Sequence, residues 1–454
     1  MGTALSQGQK YDIEQLLPYA RYAIGKKRGW GTKVGGYDIK PGERVLMIVE
    51  NKTDPLVIEV FTRAMEEVGA RVDLIIHDKG GTSREWKAED EVLVDTEREY
   101  CWSAPLWVFE AAKEYDVVLN SSAGPHPPLP GRYYIFWWTT AEQLSSQALM
   151  FPDEVWNLIN IRTQEMIRKA RKVRVTDLEG TDITFTMFDE YWQEEYWGKW
   201  GKEGLPFSGL GGDLPGIKIP YMPGHIMSFP FIPIPQSDAE GVIAGTSNHV
   251  SVFPRIEITI GRGKITEMKG GGKYGEAWRD WLERMKDVDY PGRLPGTGIG
   301  WLSGLPIGTN PKIRRVRKDL FTRSYYMFES MRAGVIHCDF GPHAHVDKPE
   351  ILYKHAREGK VLRHIHVQIY FVTYDIETKD GEKIRLIDKG HLTALDDPQV
   401  REVAAKYADP DELLKIDWVP PIPGISVPGG YEDYAKDPLL WIRNTPIFEG
   451  STPR

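Results

Sequence analysis

The sequence predicts an N-terminal doubly wound parallel α/β sheet joined to a larger, mainly antiparallel C-terminal domain of the α+β kind. Three observations carry that expectation. Between residues 44 and 120 short apolar runs alternate with helical patterns, as βαβ units do. Beyond the Arg174–Met187 segment the candidate strands alternate apolar and polar residues, as strands with one solvated face do. The chain has 454 residues, enough for two or three domains.

Arg44–Val49 (RVLMIV) is an apolar run after the turn signal Pro41-Gly42 and reads as a strand. Asp54-Pro55 opens a helical pattern through Val57, Val60, Phe61 and Met65, which Gly69 ends. Arg71–Ile76 (RVDLII) is a second strand, Pro105–Lys113 a helix, and Asp116–Asn120 (DVVLN) a third, buried strand. Ligands of such sheets sit at the carboxyl ends of the strands, which makes Glu50, Asn51 and Asn120–Ser122 mouth positions. The residues that follow are ENKTDP and NSSAGP, with no glycine-rich phosphate loop, and this argues against a nucleotide site. A helix over Pro152–Lys172 leads into Arg174–Met187 (RVTDLEGTDITFTM), whose alternation about Glu179-Gly180 is that of a hairpin. The expected organisation is an N-terminal domain over residues 1–165, a metal-binding catalytic domain over 166–400, and a Pro- and Gly-rich arm over 401–454. That arm is apolar enough to pack on its own or a neighbouring subunit, so a homo-oligomer is expected.

Composition narrows the function classes. Lys and Arg number 57 against 65 Asp and Glu, a net charge of −8 that disfavours nucleic acid as a partner. No apolar stretch approaches the roughly 20 residues of a membrane span, and no secretory leader opens the chain. Cys101 and Cys338 are the only cysteines, far apart in sequence, which argues against a disulfide framework and a Cys-rich metal knot, and a reducing cytoplasm is expected. Any metal must therefore be held by imidazole and carboxylate.

Histidine is the informative residue. Seven of the 11 fall between positions 337 and 391: His337, His343, His345, His355, His364, His366 and His391. His364-Ile365-His366 lies in the alternating run HIHVQIYFV, so both imidazoles point to one face and can reach one ion. His343, His345 and Asp347 share the same period if extended, the alternative being a solvated loop after Gly341-Pro342. Neutral imidazoles suit a divalent transition metal such as Fe, Zn or Mn, and two or three histidines with one carboxylate are the usual set for Fe(II) oxygen chemistry. Cys338 is either a soft ligand or a small buried strand residue. The aromatic excess includes Trp192 and Trp197, whose flat rings could sandwich a planar substrate or simply pack. Arg315, in the basic run after Asn310-Pro311, could hold a substrate carboxylate bidentately or belong to a solvated face.

Several segments, in order, resemble the thermophilic metalloaminopeptidase family and its non-peptidase relatives, the 2,5-dihydroxypyridine dioxygenases among them. They are IKPGERVLMIVENKTDPLVIEVFTRAMEEVGARVDLII, VRVTDLEGTDITFTM, MPGHIMSFPFIPIPQSDAEGVI, GLPIGTNPKIR, AGVIHCDFG and HIHVQIYFVTYDIETKDGEKIRLIDKGHL. The resemblance implies a metal-dependent enzyme whose ligands map to His337 and to the His364-Ile365-His366 segment. The departures are specific. The family's first metal glutamate corresponds to His225, its second falls where this chain has Ser303-Gly304-Leu305, and its final aspartate corresponds to His366. A binuclear centre leans on bridging carboxylates to offset the repulsion of two cations, so these substitutions imply a mononuclear site of His225, His337, His364 and His366.

The leading expectation is a mononuclear Fe(II) enzyme that opens the ring of a small planar aromatic or N-heteroaromatic substrate. The rival is a hydrolase in which Asp347 or Glu257 is general base to a metal-activated water. A catalytically inactive binding or assembly protein that keeps the fold is the alternative from another class.

Overall fold

The computed structural model describes residues 11–26, 36–77, 87–93, 104, 106–121, 129–192, 213–214, 217–218, 224–226, 234–290, 294–315, 328–342, 355, 358, 360 and 364–445. Its first layer is a four-stranded parallel sheet of β1 (Arg44–Glu50), β2 (Arg71–His77), β3 (Val117–Asn120) and β4 (Arg132–Ile135), in the order β2-β1-β3-β4. β1 is buried along its whole length after Arg44, as an inner parallel strand must be. The connection to β2 is the helix Pro55–Val68. Its start is set by Asp54, whose side chain accepts from the Leu56 amide, and by Pro55 in the first turn. Its end is set by Gly69, at φ 91°, a left-handed cap that a side chain would strain. Val57, Val60, Phe61, Ala64 and Met65 form the buried face. The helix Ile13–Gly25 packs beside it and opens with a reciprocal Asp12–Gln15 capping box.

The helix Asp153–Arg168 delivers the chain to a 13-stranded antiparallel sheet. The hairpin of β5 (Ala170–Thr176) and β6 (Asp182–Thr186) starts it. After the small ribbon of β7 (Asp213–Leu214) and β8 (Ile217–Lys218) come β9 (His225–Ile226), β10 (Glu240–Ser247), β11 (Val252–Gly261) and β12 (Lys264–Gly270). Then follow β13 (Leu302–Gly304), β14 (Ile307–Gly308), β15 (Ile336–Phe340), β16 (Ile365–Ile369), β17 (Thr373–Thr378), β18 (Lys383–Asp388) and β19 (His391–Leu392). The order is β19-β18-β17-β5-β6-β10-β16-β15-β14-β9, with β11 and β12 extending from β10 and β13 pairing with β15. The strands that matter for the site, β10, β16 and β15, are therefore neighbours at the middle of the sheet.

Much of the aromatic excess is core. Trp137, Trp138, Trp156, Trp278 and Trp281 are fully buried, the last two on the helix Gly272–Arg284. Trp156 also donates its indole N–H to Thr309 Oγ1 at 2.9 Å, tying the helix Asp153–Arg168 to the turn after β14. The C-terminal arm folds onto its own chain, and it is less extended than its Pro and Gly content suggests. It carries the short helices Pro398–Ala404, Pro410–Leu413, Tyr431–Lys436 and Pro438–Asn444, three of them begun by an Asp-Pro pair. Among the described residues no helix is long and apolar enough to cross a membrane.

Candidate metal centre

The centre is built on the β15–β16 pair. In the antiparallel register Asp339 lies opposite His366 and His337 opposite Gln368. Because side chains alternate, His337, Asp339, His366 and Gln368 share one face of the pair, with His364 two residues before His366 on that same side. Cys338 falls on the opposite face; it is buried, and burial pushes its thiol pKa well up, so it has the character of a core residue.

The rings converge. The His364 and His366 centroids are 4.7 Å apart and those of His337 and His366 5.6 Å. A fourth imidazole, His249, stacks on His366 at 3.6 Å and meets His337 edge-on at 4.6 Å. It comes from the tight turn between β10 and β11, which Asn248 fixes. The Asn248 Oδ1 accepts from the amides of Val250 and Ser251, and its Nδ2 donates to the Ala88 carbonyl. His249, His337, Asp339 and His366 are buried, whereas His364 is half-buried.

Two carboxylates complete the set. Asp339 Oδ1 lies 3.4 Å from His366 Nε2 and 3.7 Å from His337 Nε2. Burial, and then the charge of Glu91, holds the Asp339 carboxyl well above the usual carboxylate range; a cation beside it would reverse that shift. Glu91, on the one-turn helix Asp90–Leu93, places Oε1 2.6 Å from His366 Nδ1 and Oε2 2.8 Å from the Tyr274 hydroxyl. That bond favours the proton on Nδ1 and turns Nε2 toward Asp339 as a lone-pair donor, the usual service of a carboxylate behind a metal-binding histidine.

Among the described residues, two groups have ligand atoms all within 4.8 Å of one another: Asp339, His364 and His366, and Glu91, His249 and His366. The first fits a divalent ion, since donors about 2.0–2.2 Å from a metal lie roughly 3–4 Å apart and need only a small inward adjustment. In the second, the Glu91–His366 contact is already a hydrogen bond.

Gly304 supports the same reading. A Cβ built there would stand 2.8 Å from Asp339 Oδ2, so the missing side chain is the space the carboxylate occupies. A Gly304→Ala chain is expected to displace Asp339, weakening metal binding and destabilising the fold by about 1–3 kcal/mol through overpacking. Titration with a competing chelator, beside thermal unfolding, checks both; unchanged affinity would remove Asp339 from the ligand set.

The structure brings together His337, His364 and His366 of the residues singled out in the sequence. It adds Asp339, His249 and Glu91. The backbone of His225 pairs with Gly308 in β9, and its side chain lies outside the described residues, as do His343, His345, Asp347, Trp197 and the side chain of Trp192. Glu257 lies on β11, where it bonds Arg255 at 3.0 Å. It is not among the groups that converge on the histidines. Arg315 is buried, with its guanidinium taken up bidentately by Glu329 at 2.5 and 2.6 Å and its face over Trp418.

A buried histidine–carboxylate cluster at the centre of an antiparallel sheet, beside a parallel α/β layer, defines a candidate metalloprotein. No family model matches the sequence, and no curated protein does. Solved structures match in fold. 2,5-Dihydroxypyridine dioxygenase from Pseudomonas putida KT2440 superposes with a TM-score of 0.51 at 14% identity, over 84% of this chain and 98% of that one. AmpT from Thermus thermophilus gives a TM-score of 0.47 at 14% identity, over 83% and 98%. The dioxygenase match shows a shared fold, that of the group the sequence motifs resemble.

Proposed function

We propose that the chain is a mononuclear metal-dependent enzyme that acts on a small planar aromatic or N-heteroaromatic acid or phenol, by Fe(II)-dependent oxidative ring opening. The donor set is the observation that supports this reading. Among the described residues, imidazoles from neighbouring strands face one carboxylate, Asp339, while a second, Glu91, is committed to His366 Nδ1. Two closely spaced cations need more negative charge between them than one carboxylate supplies, whereas histidines with one carboxylate suit a single ferrous ion with open positions. A ferrous ion held by such a set supplies the redox and Lewis-acid chemistry that ring opening by molecular oxygen demands.

The chain's own groups have separate tasks. Glu91 holds the His366 tautomer and Asp339 offsets cationic charge. His249, His337, Asp339 and His366 are buried, which limits the access of bulk water to the ion they would hold. The fold likeness to a dioxygenase is consistent with this proposal and does not by itself carry it.

The experiment is to load anaerobically purified protein with Fe(II) and present hydroxypyridines, aminobenzoates and dipeptides, following oxygen uptake beside ammonia release. One iron per chain and oxygen uptake in step with loss of ring absorbance are expected. Turnover without oxygen would replace this reading with hydrolysis by a metal-activated water, and two retained metals per chain would overturn the mononuclear site.

A further inference from the structure

Away from the centre, two acids are buried where the C-terminal arm meets the sheet. Asp177 and Glu179 lie in the turn of the β5–β6 hairpin, both buried. Glu179 Oε1 accepts from Thr246 Oγ1 at 2.9 Å and from the Tyr431 hydroxyl at 3.1 Å, and Thr246 Oγ1 is 3.1 Å from the Tyr434 hydroxyl. Tyr431 and Tyr434 belong to the helix Tyr431–Lys436, so the arm is hydrogen-bonded to this acid directly and through Thr246.

Among the described residues no cation is hydrogen-bonded to the Glu179 carboxyl. The basic group facing it is Arg255 of β11, whose Nε donates to the Glu179 backbone carbonyl at 2.8 Å and whose Nη1 bonds Glu257. Asp177, on the same turn, is held by the amides of Glu179 and Phe371 at 2.8 and 2.7 Å. Of the other titratable groups on the packed elements, the Tyr431 phenol bonds the carboxyl and that of Tyr434 bonds Thr246, while Arg174 pairs with Asp182 and Lys436 with Asp433 at exposed positions and Glu432 is exposed. Burial and the neighbouring acid disfavour the carboxylate there, and they outweigh the opposing pull of the Thr246 and Tyr431 hydroxyls and of the Arg255 charge.

We propose that the C-terminal segment over residues 422–444 is a proton-gated strap, which neutral Glu179 holds against the sheet and ionised Glu179 releases. What it covers gives the device its point. Ile422 and Tyr434 pack on Val335, Tyr370 and Phe371, with Val419, Ile425, Tyr431 and Trp441 around them. Val335 leads into β15, Tyr370 and Phe371 follow β16, and Thr246 stands three residues before His249. The strap therefore clamps the ends of the three strands that present the histidine cluster.

The arm has a second anchor that does not depend on Glu179. Lys312 Nζ bonds Asp417 Oδ1 at 2.7 Å and the carbonyls of Glu412 and Lys415, and Trp418 lies over Arg315. Ionisation of Glu179 should free the helices Tyr431–Lys436 and Pro438–Asn444 while leaving Pro398–Ala404 and Pro410–Leu413 in place.

The direction with pH follows from the geometry. Burial, then the neighbouring Asp177, raises Glu179 from 4.5 to about 8, and burial raises Asp177 from 3.8 to about 6. The docked state thus binds more protons than the released one. Docking is strongest below the ordinary carboxylate value and is lost as pH rises through about 8.

Hydrogen exchange of the full chain between pH 6 and 9.5, corrected for the intrinsic rate, reads the strap without reference to activity. Protection over residues 431–444 is expected to fall at least about tenfold as pH rises from 6, levelling off above the raised Glu179 value, while residues 398–413 stay protected. Glu179→Gln, which keeps the neutral form, is expected to stay protected throughout. The proposal is overturned by a wild-type arm that stays protected to pH 9.5, by loss of both segments together, or by a Glu179→Gln chain that follows the wild-type curve. The wild-type titration alone decides the matter if that variant fails to fold.

Discussion

Replacement of His366 by alanine is expected to abolish metal retention and all metal-dependent turnover. His366 is the residue common to both groups of ligand-competent atoms, its ring stacks on His249, and its Nε2 faces Asp339. Its loss also leaves the buried Glu91 without the imidazole at 2.6 Å that satisfies it. Graded substitutions at Glu91 separate ligation from orientation. Glu91→Gln retains an oxygen that can accept from Nδ1 and should weaken binding least. Glu91→Ala removes the orienting acceptor and should cost roughly 10–100-fold in metal affinity, the usual price of deleting a partner behind a ligand. Metal content after dialysis and chelator competition report both, with circular dichroism confirming the fold. If the His366→Ala chain still retained one equivalent, the centre would have to lie elsewhere.

The part of this centre that was legible in the sequence obeyed a short-range rule. His364 and His366 lie two apart in an alternating run, and His337 stands beside them among clustered histidines. Asp339 obeys the same rule, two residues from His337, and the alternation IHCDF was sufficient to place both on one face. His249 and Glu91 carry no such signal. One is a lone histidine in an Asn-His turn, the other a glutamate in a four-residue helix, and only the packing of β10 and of the helix Asp90–Leu93 against β16 brings them in. The fold shows the same division. Three parallel strands were readable as apolar runs. β4 is four residues long and follows a Pro-rich stretch, so its pairing with β3 is a tertiary fact. The short helices of the arm were hidden by Pro and Gly, although Asp-Pro pairs at 397, 409 and 437 are start signals.

Glu329→Gln is expected to destabilise the protein by about 3–5 kcal/mol, the scale of breaking a buried ion pair. Arg315 and Glu329 are both buried and bonded through two contacts. Close by, Arg332 is fully buried, its Nη2 donates to the Tyr370 carbonyl at 3.1 Å, and burial lowers its pKa to about 10. Neutralising Glu329 leaves the buried Arg315 guanidinium without its counter-charge; at Arg332 it removes a lesser coulombic contribution and no hydrogen bond. Arg315→Met combined with Glu329→Leu should recover much of the loss, because an apolar pair of similar volume avoids the desolvation penalty. Denaturant midpoints at constant slope measure both changes. A midpoint in Glu329→Gln equal to that of the parent would show that the pair does not hold the fold. The same variants bear on the centre. The Tyr370 hydroxyl lies 3.3 Å from Glu329 Oε2 and 2.9 Å from Gln368 Oε1, and Gln368 pairs across the strands with His337. A weaker metal affinity in Glu329→Gln, at a temperature where it remains folded, is therefore expected if this buried row fixes the strand ends that carry the ligands. Unchanged affinity would confine the ion pair to stability, and would leave the strap and Glu91 as the features that position the cluster.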